Sequence, residues 1–225
     1  MNNRIISFGY VGFGLIYFLL SYFGKTEITW YLKPFLLPIL MLLVSNFDAF
    51  PTKKWLLSAL TFSWIGDVIL LFASKSEIYF ILGLIAFLIA HLLYIVLFWK
   101  QNKTEDFRKK RLFWVATILT LFYLKELTTL LWPTLGGLKI HVFVYAITIS
   151  VMLIVALKGY FSWGKTSGLW IVFGAMSFIA SDSFLAINKF SAPFENANLW
   201  IMVTYITAQF CITSGILELN KFTKN

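Results

Sequence analysis

Residues 78–99 read IYFILGLIAFLIAHLLYIVLFW and contain no Asp, Glu, Lys or Arg. A helix needs about 20 apolar residues to cross the hydrocarbon core of a bilayer, and this run is long enough. A membrane barrel strand would alternate apolar and polar residues, and this stretch does not. Backbone polar groups in lipid must pair within the segment, which leaves an α-helix. The stretch is therefore read as a transmembrane helix.

The same reading extends in both directions. Continuous apolar runs cover roughly 5–23, 31–47, 54–73, 78–99, 112–131, 138–157, 166–188 and 196–218. The first follows Met1–Arg4 and lacks a small-residue cleavage site, so it is read as a span and not as a signal peptide. Pro34 and Pro38 predict an irregular start to the second span. The segment 100–111 is the one strongly polar stretch and reads as a solvated loop, and a polar tail runs from Asn220 to Asn225. The expected fold is an all-α polytopic membrane bundle of eight transmembrane helices, a single transmembrane domain over 1–225.

Composition agrees. Sixty per cent of the 225 residues are hydrophobic and 13% charged, against about 25% charged in soluble domains. The 24 Phe and 9 Trp suit a lipid-facing skin with interfacial belts. The net charge of +9 does not imply nucleic acid, because the basic residues are spread between apolar runs. Of the 19 Lys and Arg, 13 fall on the N-terminal side of an eight-span topology and 6 on the other. That bias puts both termini in the cytoplasm, and the AT-rich flavour of the composition suggests a bacterial cytoplasmic (inner) membrane. Cys211 is the single cysteine, which excludes an intrachain disulfide, and it reads as a small packed hydrophobe.

Polar groups in lipid are costly, about 2.5–3.5 kcal/mol for a charge at mid-membrane on insertion scales, so they mark candidate function. Asp67 lies in the third span, His91 and Tyr94 lie one turn apart in the fourth, and Asp182 lies in the seventh. Lys33-Pro34 opens the second span. Tyr205 and Gln209 share a face of the eighth, and Asn188 and Asn198 flank the turn before it. On this topology Asp67 and Asp182 sit at matched depth in the outer half, about two turns from the outer end at about 1.5 Å per residue. Lys33 is near the same side, and His91 is deeper. The bland alternatives are interhelical contacts for either Asp or for His91, packing for the tyrosines, and outward snorkelling for Lys33. Lys125 and Glu126 read as outer-interface residues, and the basic run 108–111 as a topology signal.

Taken in order, these residues resemble the YhhN family of lysoplasmalogenase-like membrane proteins. The resemblance rests on Lys33-Pro34, Gly66-Asp67, Gly83, Phe87, His91, Tyr94, Gly174, Ser181-Asp182, Phe190, Tyr205 and Gln209, which span most of the chain. It implies an eight-helix bundle that hydrolyses the vinyl ether bond of lysoplasmalogens. The products are a fatty aldehyde and a glycerophospho-alcohol, and the partners are the lysophospholipid substrate and membrane lipid. It implies Asp67 and Asp182 as the catalytic pair, with Lys33, His91, Tyr94, Asn188, Tyr205 and Gln209 around the substrate.

The chemistry suits such residues. Protonating the electron-rich vinyl carbon gives an oxocarbenium ion, water adds, and the hemiacetal collapses. That sequence needs a general acid, a general base and nearby negative charge, which two carboxylates provide if one is protonated and the other ionised. A carboxylate–histidine metal site from Asp67, Asp182 and His91 is a variant, but no compact ligand motif of the H-E-x-x-H kind is present, and neither metal nor cofactor is expected. The rival readings are a transporter or a non-catalytic binding protein for a lysolipid or other small amphiphile. Transporters often carry paired broken helices, and the second half has no counterpart to Lys33-Pro34. A retinal receptor is set aside because the eighth span has no lysine.

Overall fold

A computed structural model describes residues 3–101 and 111–221. Those residues are helical throughout, joined by turns. The elements are α1 (Asn3–Tyr22), α2 (Thr26–Leu32), a 3-10 turn (Lys33–Phe35), α3 (Leu36–Ser45), α4 (Lys53–Leu70), α5 (Glu77–Gln101) and α6 (Arg111–Leu131). A 3-10 turn (Gly136–Leu138) then leads into α7 (Lys139–Tyr160), followed by α8 (Lys165–Ala186), a π turn (Ile187–Ser191) and α9 (Ala197–Asn220). The polar loop expected at 100–111 is bounded by the ends of α5 and α6, and residues 102–110 lie outside the described residues, as does the tail beyond Lys221.

Among the described residues, seven segments are long and apolar enough to cross a membrane, with Thr26–Ser45 and Lys165–Ser191 each counted as one. The eighth, α4, is 18 residues long and carries Lys53, Lys54 and Asp67. Its two lysines occupy the first turn, and Lys53 Nζ donates to the carbonyls of Ser45 and Phe47 at 2.9 and 2.6 Å. Large apolar side chains remain exposed along α1 and α6, among them Phe8, Leu15, Ile118 and Phe122. Patches this apolar are not stable against water, and lipid is the solvent that accepts them. The chain is an all-helical, polytopic membrane protein.

The protein divides into two compact units. One holds α1 to α4 and α5 up to Leu97. Its buried stripes have helical spacing: Ile6, Tyr10, Gly14 and Tyr17 on α1, and Leu56, Ala59, Leu60, Ser63, Gly66 and Asp67 on α4. The other unit runs from Phe98 through α9. Its most extensive packing is between α8 and α9, with α7 against α8 and α6 against α7. Gly174 permits the α8–α9 approach, since a Cβ there would lie 2.9 Å from the backbone oxygen of Ala208. Small residues at such crossings are how membrane helices pack closely. The end of α5 is tied in by Trp163, whose indole N–H donates to Gln101 O at 3.1 Å.

Two expectations are corrected. The second span does not open on Lys33-Pro34. It begins at Thr26, and Lys33 follows a full α-helical segment, about 10 Å along the axis at about 1.5 Å per residue. Proline suggested a helix start because it lacks an N–H. Here it sits inside the span, in the 3-10 turn that absorbs the missing donor. Asp67 is also nearer its helix end than expected. α4 stops at Leu70, three residues on, and Leu71, Phe72 and Ala73 continue in turns closed by i→i+3 hydrogen bonds. Apolar composition outlasts the α-helix there.

Candidate active-site residues

In the first unit, the segment around Lys33 lies antiparallel to the end of α4, and three polar ties join them. Trp64 Nε1 donates to Pro34 O at 2.8 Å, Lys33 Nζ lies 3.5 Å from Asp67 Oδ1, and Trp30 Nε1 donates to Leu71 O at 3.3 Å. As the residue number falls on one strand of this ladder it rises on the other, as an antiparallel helix pair requires. The first tie has a clear cause. The carbonyl of Pro34 would ordinarily receive the N–H of residue 38, but that residue is Pro38 and has none. The indole of Trp64 supplies the missing donor. An orphaned carbonyl in a span is costly, so the proline pair creates a docking point for α4.

That docking sets the ion pair. Asp67 is almost fully buried, and the Lys33 side chain is 16% exposed. Lys33 therefore does not simply snorkel outward; its ammonium faces a buried carboxylate. Gly66 lets the ring of Phe87 close over this part of α4, since a Cβ on Gly66 would lie 2.7 Å from it. Ser63, one turn before Asp67 on the same face, is wholly buried. His91 and Tyr94 sit past the middle of α5, and both are wholly buried.

In the second unit, α8 is the hub. Successive residues on an α-helix point about 100° apart, and Ser181, Asp182 and Ser183 use this to reach three different helices. Ser181 Oγ donates to Ile201 O of α9 at 3.0 Å. Asp182 Oδ2 accepts the O–H of Tyr145, from α7, at 2.6 Å. Ser183 Oγ accepts the O–H of Tyr123, from α6, and itself donates to Ile179 O at 2.6 Å. Tyr145 is buried, so its hydroxyl requires a partner, and the carboxylate is that partner.

The remaining candidates have more ordinary surroundings. Tyr205 packs edge-on against Phe178, ring centroids 5.6 Å apart, and Gln209 lies one turn further on, wholly buried. Asn188 is in the π turn, and its Oδ1 accepts the backbone N–H of Phe194 at 3.4 Å, so it ties the turn that leads into α9. Asn198 lies in the first turn of α9. Lys125 and Glu126 pair with each other at 3.0 Å and are exposed, as an interface position predicts. Among the described residues, no group of three or more His, Cys, Asp or Glu is arranged to hold a metal ion.

Sequence reasoning missed Tyr145, Tyr123 and Ser63. A tyrosine in an apolar run gives no signal of its own, because packing and belt roles use the same residue. Trp64 was findable: two prolines four apart leave a carbonyl without its donor, and that predicts an N–H from elsewhere.

The chain is 30% identical over 183 residues to Lysoplasmalogenase TMEM86A of Homo sapiens, covering 76% of this chain and 68% of that protein. It is 31% identical over 166 residues to the Lysoplasmalogenase of Mycobacterium tuberculosis, covering 72% of this chain and 60% of the relative. It is 30% identical over 167 residues to Lysoplasmalogenase TMEM86B of Sus scrofa, covering 74% and 65% respectively. No solved structure matches the chain at a significant level. The YhhN family model matches residues 28–216, a stretch that runs from α2, before the Lys33 turn, into α9, beyond Gln209. The chain therefore belongs to the YhhN family.

Proposed function

We propose that this protein hydrolyses the vinyl ether bond of lysoplasmalogens, releasing a fatty aldehyde and a glycerophospho-alcohol. The observation that carries the reading is a pair of intramembrane carboxylates with different dedicated partners, an ammonium for Asp67 and a phenol for Asp182, in a chain whose relatives are named lysoplasmalogenases. The proposed setting is a bacterial cytoplasmic membrane with both termini in the cytoplasm, which the 13-to-6 distribution of Lys and Arg supports.

The reaction needs one protonated and one ionised carboxyl group. Asp67, ion-paired with Lys33, takes the ionised role. Its charge stabilises the oxocarbenium ion, and it accepts a proton from the attacking water. Asp182 takes the acid role and delivers its proton to the vinyl carbon beta to oxygen. The hemiacetal then breaks to aldehyde and alcohol, so one water is consumed and no redox partner is needed. Lys33 compensates Asp67 and offers an ammonium to the substrate phosphate. His91, Tyr94, Tyr205 and Gln209 are proposed to line the route of the substrate, with Asn188 shaping the turn beside it.

The test is incubation of the purified protein with a panel of alkenyl, alkyl and acyl lysolipids, with mass spectrometry of the products. Fatty aldehyde from the alkenyl lysolipids, formed in detergent where no gradient exists, is the expected result. Intact lipid merely moved across sealed vesicles would establish the transporter reading instead.

Tyr145 supplies a second check on the acid role. Tyr145→Phe deletes only the hydroxyl that holds Asp182. A misplaced catalytic group costs about 10²-fold, so kcat is expected to fall about 10- to 100-fold with KM within about twofold. Tyr123→Phe removes the neighbouring phenol, which is bonded to Ser183 and not to the carboxylate, and should leave kcat near wild type. Equal losses in both would reduce Tyr145 to a packing residue.

A further inference from the structure

We infer that Ser63 recognises the free central hydroxyl of the substrate's glycerol, and so selects lysolipids over two-chain lipids; this rests on the hydrolase reading proposed above. Ser63 is wholly buried, and its Oγ has no hydrogen-bond partner among the described residues. Hydroxyls in these helices normally bond back to the carbonyl of the preceding turn. Thr61, on the same helix, does so to Leu57 at 2.8 Å, and Thr117, Thr120, Thr128 and Thr148 follow the same habit. Ser63 departs from it. An unmet hydroxyl in an apolar interior is costly unless something arrives to meet it. Thr213 is the other buried hydroxyl in this condition among the described residues, but only Ser63 stands one helical turn from a carboxylate.

The chemistry of the neighbourhood selects the occupant. Asp67 lies one turn along α4, on the same face, and Lys33 reaches Asp67 at 3.5 Å. A hydroxyl, a carboxylate and an ammonium are thus grouped within about two turns of helix. A lysoplasmalogen presents complementary groups within a few bonds of each other: an anionic phosphate, a free hydroxyl on the central carbon and the vinyl ether on the next. Phosphate suits the Lys33 ammonium, and the central hydroxyl suits Ser63 Oγ, which can both donate and accept. A lipid with an acyl ester at the central carbon has no O–H to offer there and adds a second chain. Sites that hydrogen-bond a substrate hydroxyl discriminate strongly against analogues that lack it, because their own polar groups are then left unmet.

The test crosses two enzymes with two substrates. Wild type and Ser63→Ala, as full-length purified protein, are assayed on an alkenyl lysolipid and on the same lipid with hydrogen replacing the central hydroxyl. Wild type should lose about tenfold or more in kcat/KM on the deoxy lipid. Ser63→Ala should lose about as much on the lysolipid, yet match wild type within about twofold on the deoxy lipid, since neither then makes the bond. The variant should also unfold at the same or a higher temperature than wild type, because the deleted hydroxyl had no partner. An equal loss on both lipids, or no loss on either, overturns the assignment of Ser63. Absence of aldehyde from wild type on the lysolipid overturns the hydrolase reading itself, so the two failures are distinct.

Discussion

Asp182→Asn is expected to lower aldehyde release by about 10²–10⁴-fold, the usual contribution of a general acid, without unfolding the protein. Asparagine keeps the size and shape of the side chain, and its carbonyl oxygen still accepts the Tyr145 hydroxyl. Ser181 and Ser183 keep their own ties to α9 and α6. What is lost is the proton that the proposed acid role requires. Asp182→Ala separates structure from chemistry. It also removes the carboxylate that accepts the buried Tyr145 hydroxyl, a loss of about 1–3 kcal/mol for a buried polar group deprived of such a bond, so its melting temperature should drop where that of the asparagine variant does not. Wild-type turnover by Asp182→Asn would falsify the acid role.

The second large effect concerns stability first. Lys33→Met leaves Asp67 as a buried carboxylate without its ammonium, and removing one partner of a buried ion pair destabilises by about 3–5 kcal/mol. Asp67→Asn should cost less in stability, because the Lys33 side chain is 16% exposed and its flexible stem can carry the ammonium toward water. The double variant, Lys33→Met with Asp67→Asn, should recover much of the melting temperature lost by Lys33→Met. Residues in one charged network are expected to behave non-additively in this way. All three variants should lose most of their aldehyde release. Thermal unfolding in detergent, followed beside activity, reads both effects. A Lys33→Met protein as stable as wild type would show that the pair contributes little to folding.

Much of this was legible in the sequence, for one physical reason. Lipid penalises unmet backbone groups and charges, so long apolar runs declare helices, and the rare carboxylates within them mark candidates for function. Asp67 and Asp182 stood out as candidates by their cost, and the family resemblance supplied the catalytic role proposed for them. The misreadings come from the same source. Apolarity reports the solvent and not the backbone, so Leu71 and Phe72 read as helix although the α-helix ends at Leu70. Pro34 reads as a start signal, yet the 3-10 turn lets α2 precede it, and Lys33 moves from the mouth of the span into its interior. The partners of the carboxylates were harder still. Nothing local distinguishes Tyr145 from Tyr160, because the difference lies in which helix stands opposite.

The splayed trio on α8 also bears on how the protein comes into being. Membrane helices insert first and associate afterwards. Asp182 and its two neighbours draw their partners from α6 and α7, made earlier, and from α9, made later. While α8 is newly inserted, the Asp182 carboxyl can already meet Tyr145, but Ser181 has no α9 carbonyl to meet. Two of the three ties on α8 can form before α9 is made, and the third closes only when α9 joins. The full set of ties around Asp182 is therefore complete only once synthesis has passed through α9.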